Sequence, residues 1–219
     1  LTNSGSLVIG SFDQQDGGNV IITNTGAISQ DNKPTVNVLD NGTASFTAGA
    51  FGIDLSNTDN NFTGAVSLSN SGANDVTLTN ENALVLGTVG IGSGALTLTS
   101  VGLTQTGALT QAAGAGATTI DAGAGVITLA NSGNIITGEV ALTNTGNNNV
   151  TLINHTDLQN VAVGMSLGAS SLGSGTTTIT NTGSMTTTGF IQTAGGDIAL
   201  TTLSSDTDGR TLTVGAGGI

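Results

Sequence analysis

Phe62–Asn80 reads FTGAVSLSNSGANDVTLTN, and Ile136–Asn154 reads ITGEVALTNTGNNNVTLIN, 74 positions further on. The two stretches share Thr63/Thr137, Gly64/Gly138, Val66/Val140, Leu68/Leu142, Asn70/Asn144, Gly72/Gly146, Asn74/Asn148, Val76/Val150, Thr77/Thr151, Leu78/Leu152 and Asn80/Asn154. Each copy holds two short alternating runs, Val-x-Leu and Val-Thr-Leu, and each run is closed by an Asn. A turn rich in Gly and Asn lies between them. Period-two alternation bounded by turn residues is the signature of short strands.

The repeat extends outward from this stretch. Thr43–Asn57 (TASFTAGAFGIDLSN) matches Ala117–Asn131 (ATTIDAGAGVITLAN) at the same shift, and Gly92–Thr99 (GSGALTLT) matches Gly173–Thr180 (GSGTTTIT) at a shift of 81. The difference of seven residues is most simply an insertion within Met165–Ser171, expected to bulge from the fold as a loop. The unit then covers about 43–114 and 117–196. That is too long for one coil of a stacked architecture, and four coils of roughly 18–20 residues fit it.

Further runs of the same kind occur at Leu7–Ile9, Val20–Ile22, Val36–Leu39, Ile53–Leu55, Leu84–Leu86, Leu96–Leu98, Ile127–Leu129, Val161–Val163, Ile198–Leu200 and Leu212–Val214. No segment keeps an i, i+3, i+4, i+7 apolar face over three turns, so the chain is expected to be all-β. The 219 residues include 35 Gly, one Pro, five Phe and no Trp or Tyr. Large aromatics normally fill a wide core. Thin layers of Val, Leu, Ile and Ala suit a narrow one. The expected architecture is one continuous, single-stranded, right-handed parallel β-helix over residues 1–219. At about 20 residues per coil it makes about eleven coils and a rod near 50 Å long. Val66, Leu68, Val76 and Leu78 are expected inside, with Ser67, Ser69, Thr77 and Thr79 outside. Asn57, Asn70, Asn80, Asn131, Asn144 and Asn154 end strands and could stack as amide ladders. Phe46, Phe51, Phe62 and Phe190 read as core filler. The competing architecture, two antiparallel sandwiches split near residue 116, wants longer strands and aromatic anchors.

The net charge is −12, with Lys33 and Arg210 the only basic residues. Binding to phosphate backbones or anionic membranes needs many cations, which excludes nucleic acid as an expected partner. No run of eighteen apolar residues suggests membrane insertion. With no Cys there are no disulfides, thiolate metal sites or thiol nucleophiles. Charged residues are 7% against 37% hydrophobic, which is not a disordered composition.

Several residue sets carry groups that catalysis or binding could use. Asp13/Asp16 and Asp54/Asp59 are close acidic pairs, but polysaccharide cleavage needs carboxylates gathered with a metal or basic group. His155 with Asp157 lacks a marked nucleophile. Asp206-Thr-Asp208-Gly209 resembles part of a calcium loop but lacks a third Asp-type ligand and the terminal Glu. Glycosylation triplets begin at Asn41, Asn61, Asn149 and Asn154. Thr-x-Thr recurs at Thr77/Thr79, Thr97/Thr99, Thr178/Thr180 and Thr211/Thr213, and flat threonine arrays can bind ice. Here Thr79 aligns with Ile153, which breaks the array between copies. No catalytic residue, metal site, cofactor-binding residue or cofactor is assigned.

The motifs VTLTN (76–80), GSGALTLTS (92–100), ITLAN (127–131) and VALTNTG (140–146) resemble the β-strand repeats of filamentous-haemagglutinin-like exoproteins. These are bacterial surface adhesins exported by two-partner secretion. The resemblance implies an extracellular or cell-surface shaft, taking part in attachment, biofilm or cell–cell contact. It transfers no functional residue. Leu1-Thr2-Asn3-Ser4-Gly5 begins mid-pattern and Thr211–Ile219 ends on a strand and a Gly-rich turn, so the chain reads as a piece of a longer repetitive protein. Expected partners are neighbouring segments of the same protein or identical subunits end to end, and a host-cell or neighbouring-cell surface. The alternative functions are a self-contained binding module for carbohydrate or ice, and a polysaccharide-degrading enzyme.

Overall fold

The structure, a computed structural model, describes residues 2–30, 35–154, 164–192, 195–203 and 211–214. Among them there is no helix, and the strands pair in parallel. One sheet takes, in spatial order, Thr2–Asn3, Val20–Asn24, Ala44–Thr47, Ala65–Ser69, Leu84–Ile91, Leu103–Gln105, Ile127–Leu129, Val150–Asn154, Thr177–Thr182 and Ile198–Leu203. The other takes Leu7–Ile9, Ile28–Gln30, Ile53–Leu55, Val76–Thr79, Leu96–Thr99, Thr118–Asp121, Val140–Thr143, Met165–Leu167, Met185–Thr187 and Leu212–Val214. A third, short sheet of Phe12–Gln14, Val36–Val38 and Asn61–Phe62 fills one corner near the amino-terminal end. Each strand pairs with one a full coil away in sequence, never with its sequence neighbour. This is a β-solenoid of ten levels, and its nine steps make a stack about 43 Å long.

Alternation explains why such short strands hold. Ile28, Ile53, Val76, Leu96, Thr118, Val140 and Leu167 stand one above the next inside the second sheet. Leu55, Leu78, Leu98, Ile120 and Leu142 form the adjacent inner column. All are buried. Each aliphatic side chain so covered contributes about 1.5–3 kcal/mol. Val66, Leu68, Val76 and Leu78 point inward as expected, and Ser67, Ser69, Thr77 and Thr79 line the outer face. Phe46 and Phe62 are buried and meet edge to face, ring centroids 6.0 Å apart. Phe51 corrects the expectation of core filler: it sits on a turn and is 48% exposed. The side chain of Phe190 lies outside the described residues, as does the run Val161–Val163.

Coil length departs from the even 18–20 residues expected. It varies from 19 residues (Leu84 on Leu103) to 28 (Thr143 on Ser171), which gives ten levels among the described residues rather than eleven. The long repeat departs further. Ala44 lies in the first sheet. Three coils carry the chain from it through Ala65–Ser69 and Leu84–Ile91 to Leu103–Gln105, and a further half coil reaches Thr118 in the second sheet. The 74-residue unit is therefore three and a half coils, not four. Consequently Val76–Thr79 belongs to the second sheet and its copy Val150–Asn154 to the first. The swap is tolerated because both sheets ask the same of the sequence: an inward aliphatic at alternate positions and a turn amide after it.

Tight turns stack as well. A Cβ on Gly72 would overlap the carbonyl oxygen of Ala50, and one on Gly92 would overlap that of Gly72. Only glycine lets the backbones of successive turns approach so closely.

The insertion is also placed differently. Met165–Leu167 and Ser170–Leu172 are both strands of the second sheet, each paired to Val140–Thr143. Met165, Leu167, Ser170 and Leu172 are buried, and the Ser170 hydroxyl accepts the Leu142 N–H at 3.0 Å. These residues widen a coil instead of leaving it as a loop, because their alternation offers the core three further apolar side chains, Met165, Leu167 and Leu172. Deleting 165–171 is expected to lower stability by about 5 kcal/mol or to abolish cooperative folding, read by denaturant titration. Thr118 makes the opposite case. It is fully buried among aliphatics and its hydroxyl has no hydrogen-bond partner. Thr118→Val should raise stability by about 1 kcal/mol in the same titration.

Candidate functional site: turn amides, outer faces and open ends

The polar groups that organise this molecule are neutral amides at strand ends. Asn80 is buried. Its Oδ1 accepts the Phe62 N–H at 2.8 Å, and its Nδ2 donates to the carbonyls of Phe62, Asn82 and Ala83. Asn154, its copy, does the same for Ile136, at 2.7 Å to the N–H and 3.1 Å to the carbonyl. Asn70 donates to Phe51 and Asn74 and accepts the Gly92 N–H. These residues fasten each turn to itself and to the neighbouring coil. The amide ladder expected from stacking has one described step, from Asn154 Nδ2 to Asn181 Oδ1 at 3.0 Å. Elsewhere Ala48, Ser100 and Ala122 interrupt the columns.

Asn57 and Asn131 are only half-buried, and each caps a turn by accepting the N–H two residues on. The buried amides three residues further, Asn60 and Asn134, are the ones the sequence reading missed. Asn60 exchanges two hydrogen bonds with Gln30, 2.6 and 3.0 Å. It also accepts the Val36 N–H and donates to the carbonyls of Leu55 and Thr79. Asn134 repeats the arrangement with Gln105, at 2.9 Å in both directions, with Leu109 N–H, Leu129 O and Ile153 O as further partners. Each clamp therefore ties together three successive levels. The signal was present, since Gln30 and Gln105 each end an alternating run with an Asn some thirty residues on. It required knowing which coils lie side by side.

The outer surface is acidic. Asp13, Asp16, Asp40, Asp54, Asp59, Asp75, Glu81, Glu139 and Asp197 are exposed, and Asp121 is half-buried. Several serve turns: Asp40 accepts the Asp16 N–H, Asp54 that of Ser56, Asp75 that of Ala95 and Asp121 that of Gly123. Among the described residues no three His, Asp or Glu side chains gather as a metal would require. His155, Asp157, Lys33, Arg210 and the Asp206-Thr-Asp208-Gly209 segment lie outside the described residues. Of the glycosylation triplets, Asn41 and Asn149 are exposed, Asn61 is half-buried and Asn154 is fully buried.

Threonines form an in-register patch on the second sheet, where Thr77/Thr79 stand on Thr97/Thr99 and Thr97 on Thr119. What interrupts it is Asp121 and then Ala141. Ile153 does not, because it lies in the other sheet.

The described stack has an outermost level on each side. At the amino-terminal end a cavity of about 400 Å³ is lined by Leu7 to Phe12 and Asn19 to Ile22. Its inward side chains include Leu7 and Phe12, both only partly buried. At the other end Leu212 and Val214 stand on the buried Met185 and Thr187, yet are 43% and 46% exposed. Among the described residues each of these outermost levels pairs on its inner side.

If the clamps act as units, Gln30→Ala and Asn60→Ala should each cost about 1–3 kcal/mol and should not add. A double-mutant cycle is expected to return a coupling of about 0.5–3 kcal/mol. Simple additivity would show that the two amides act separately.

In comparisons with known proteins, a family model described as repeats of unknown function (DUF5649) matches residues 1–69 and 73–143. No curated protein and no solved structure matches. The two matched segments start 72 residues apart (73 − 1), close to the 74-residue shift of the long repeat.

Proposed function

The chain belongs to the family of repeats of unknown function DUF5649, and we propose that it is a structural shaft, a length of rigid solenoid that holds other parts of an assembly apart at a cell surface or in an extracellular filament. The observation that carries this reading is the uniformity of the coil-to-coil contact, kept through the ten levels of the described residues. A stack in which each level contacts only its neighbours is extended by adding levels, and its stability grows with them. The outer faces of hydroxyls, amides and carboxylates suit a spacer, and the net charge of −12 discourages side-by-side clumping. The likeness of VTLTN (76–80) and VALTNTG (140–146) to adhesin repeats supports a bacterial surface setting.

The shaft is non-catalytic in this reading. Acidic and neutral polysaccharides incubated with the purified chain are expected to remain uncut by size-exclusion analysis. Cleavage abolished by one Asp→Asn exchange at an exposed turn would replace the shaft with an enzyme. The setting is tested by immunogold labelling of source cells with antibody against this chain. Label standing off the outer surface is expected, and label confined to the interior would remove the surface role.

A further inference from the structure

We propose that the outer face of the first sheet pairs side by side with the same face of a second copy, the two solenoids lying antiparallel about a two-fold axis. The inference goes beyond the shaft reading, since a spacer needs no lateral partner.

Charge singles out this face. Each copy carries a net charge of −12, so two copies can approach closely only where the contact itself is free of carboxylates. Among the described residues no strand of the first sheet holds an Asp, Glu, Lys or Arg. The second sheet sets Asp54 and Asp121 on its outer side. The other described carboxylates, Asp13 apart, stand on the connections between strands. Pairing through the second sheet would cover Asp54 and Asp121 with no cation to meet them, a costly burial. Pairing through the first sheet covers methyl groups, and hydroxyls that can both donate and accept across the contact.

Size makes the face complementary to its own inverted copy. Counted from Thr2–Asn3, the third and fourth levels of the first sheet are Ala44–Thr47 and Ala65–Ser69, and the seventh and eighth are Ile127–Leu129 and Val150–Asn154. Outward side chains in the third and fourth levels are mostly serines, Ser45, Ser67 and Ser69 with Thr47. Those in the seventh and eighth are β-branched, Thr128, Thr151 and Ile153. A two-fold axis between the fifth and sixth levels sets the eighth level of one copy against the third of the other, and the seventh against the fourth. Small side chains then meet larger ones, and the two faces interdigitate. A parallel pair would set serine on serine at one half and threonine on threonine at the other, loose in one place and crowded in the other. Ten levels of about 4.8 Å by four residues of about 3.3 Å offer roughly 600 Å² of flat contact per copy, under the roughly 800 Å² per partner of a standard complex. The pair is therefore weak. Because both copies use the same face, the contact closes at two.

The test uses the 219-residue chain in sedimentation and small-angle scattering over a concentration series. A monomer–dimer equilibrium is expected, with a dimer that is thicker than the monomer at nearly the same length. Raising salt from about 0.01 M to about 0.15 M shortens the screening length from about 30 Å to about 8 Å and should strengthen the dimer several-fold, because it screens the like charges of the two copies. Thr151→Asp places a carboxylate in the contact and should weaken the dimer at least tenfold. Thr97→Asp makes the same exchange on the outer side of the second sheet and should leave it unchanged. Should Thr151→Asp fail to fold by circular dichroism, Ser69→Glu, at an exposed position of the same face, should weaken the dimer equally. A folded rod that stays monomeric to millimolar concentration at both salts overturns the proposal. Association that lengthens the rod, continues past two copies, or is weakened as much by Thr97→Asp overturns it too. The shaft reading survives each of these outcomes, since the cleavage and labelling experiments decide it separately.

Discussion

The constraint on which the rest depends is the width of the interior. Between the two sheets there is room for little more than facing rows of aliphatic side chains, so each inward residue must rest on another of similar size one coil below. Leu55, Leu78, Leu98, Ile120 and Leu142 show the outcome as an unbroken column. A slip of one residue in any strand would turn its apolar set outward and leave hydroxyls in the core. Turn chemistry follows from the same constraint. Short strands leave many backbone groups at corners without a ladder partner, and buried asparagines with glycines beside them satisfy those groups.

Neutral amides are used at the corners because they both donate and accept. A carboxylate at Asn80 could accept the Phe62 N–H, but it could not donate to the carbonyls of Phe62 and Ala83. The carboxylates are accordingly kept on the outside, where Asp54, Asp75 and Asp121 accept turn N–H groups in contact with water. The result is a molecule that is polar inside its corners, apolar along its axis and acidic on its surface.

Much of the fold was legible in the sequence because it depends on alternation, which any strand shows by itself. Leu7–Ile9, Ile53–Leu55, Ile127–Leu129 and Leu212–Val214 appear as strands with the bounds read from the sequence. What was not legible depends on which coils are neighbours. Polar strands such as Thr118–Asp121, Thr177–Thr182 and Met185–Thr187 lack the Val-x-Leu pattern and hold their place through the levels on either side. The register of the long repeat was hidden for a related reason. A unit of 74 residues divides about as well into four short coils as into three and a half of about 21, and nothing local distinguishes two sheets that accept the same pattern. The Gln30–Asn60 clamp was missed likewise, since its partners are thirty residues apart and meet only once the coil length is known.

The half-coil phase of the repeat is the claim on which the level assignments stand, and the absence of cysteine from the chain makes it directly measurable. Thr128 and Thr151 are register partners in the first sheet. Neighbouring parallel strands lie about 4.8 Å apart, within the span of a disulfide. A Thr128→Cys, Thr151→Cys protein oxidised under dilute, native conditions should form the intramolecular disulfide in high yield. Four even coils per unit would instead place Thr128 beside residues about 19 positions on. A Thr128→Cys, Asn147→Cys protein that cross-links while the first does not would contradict the account.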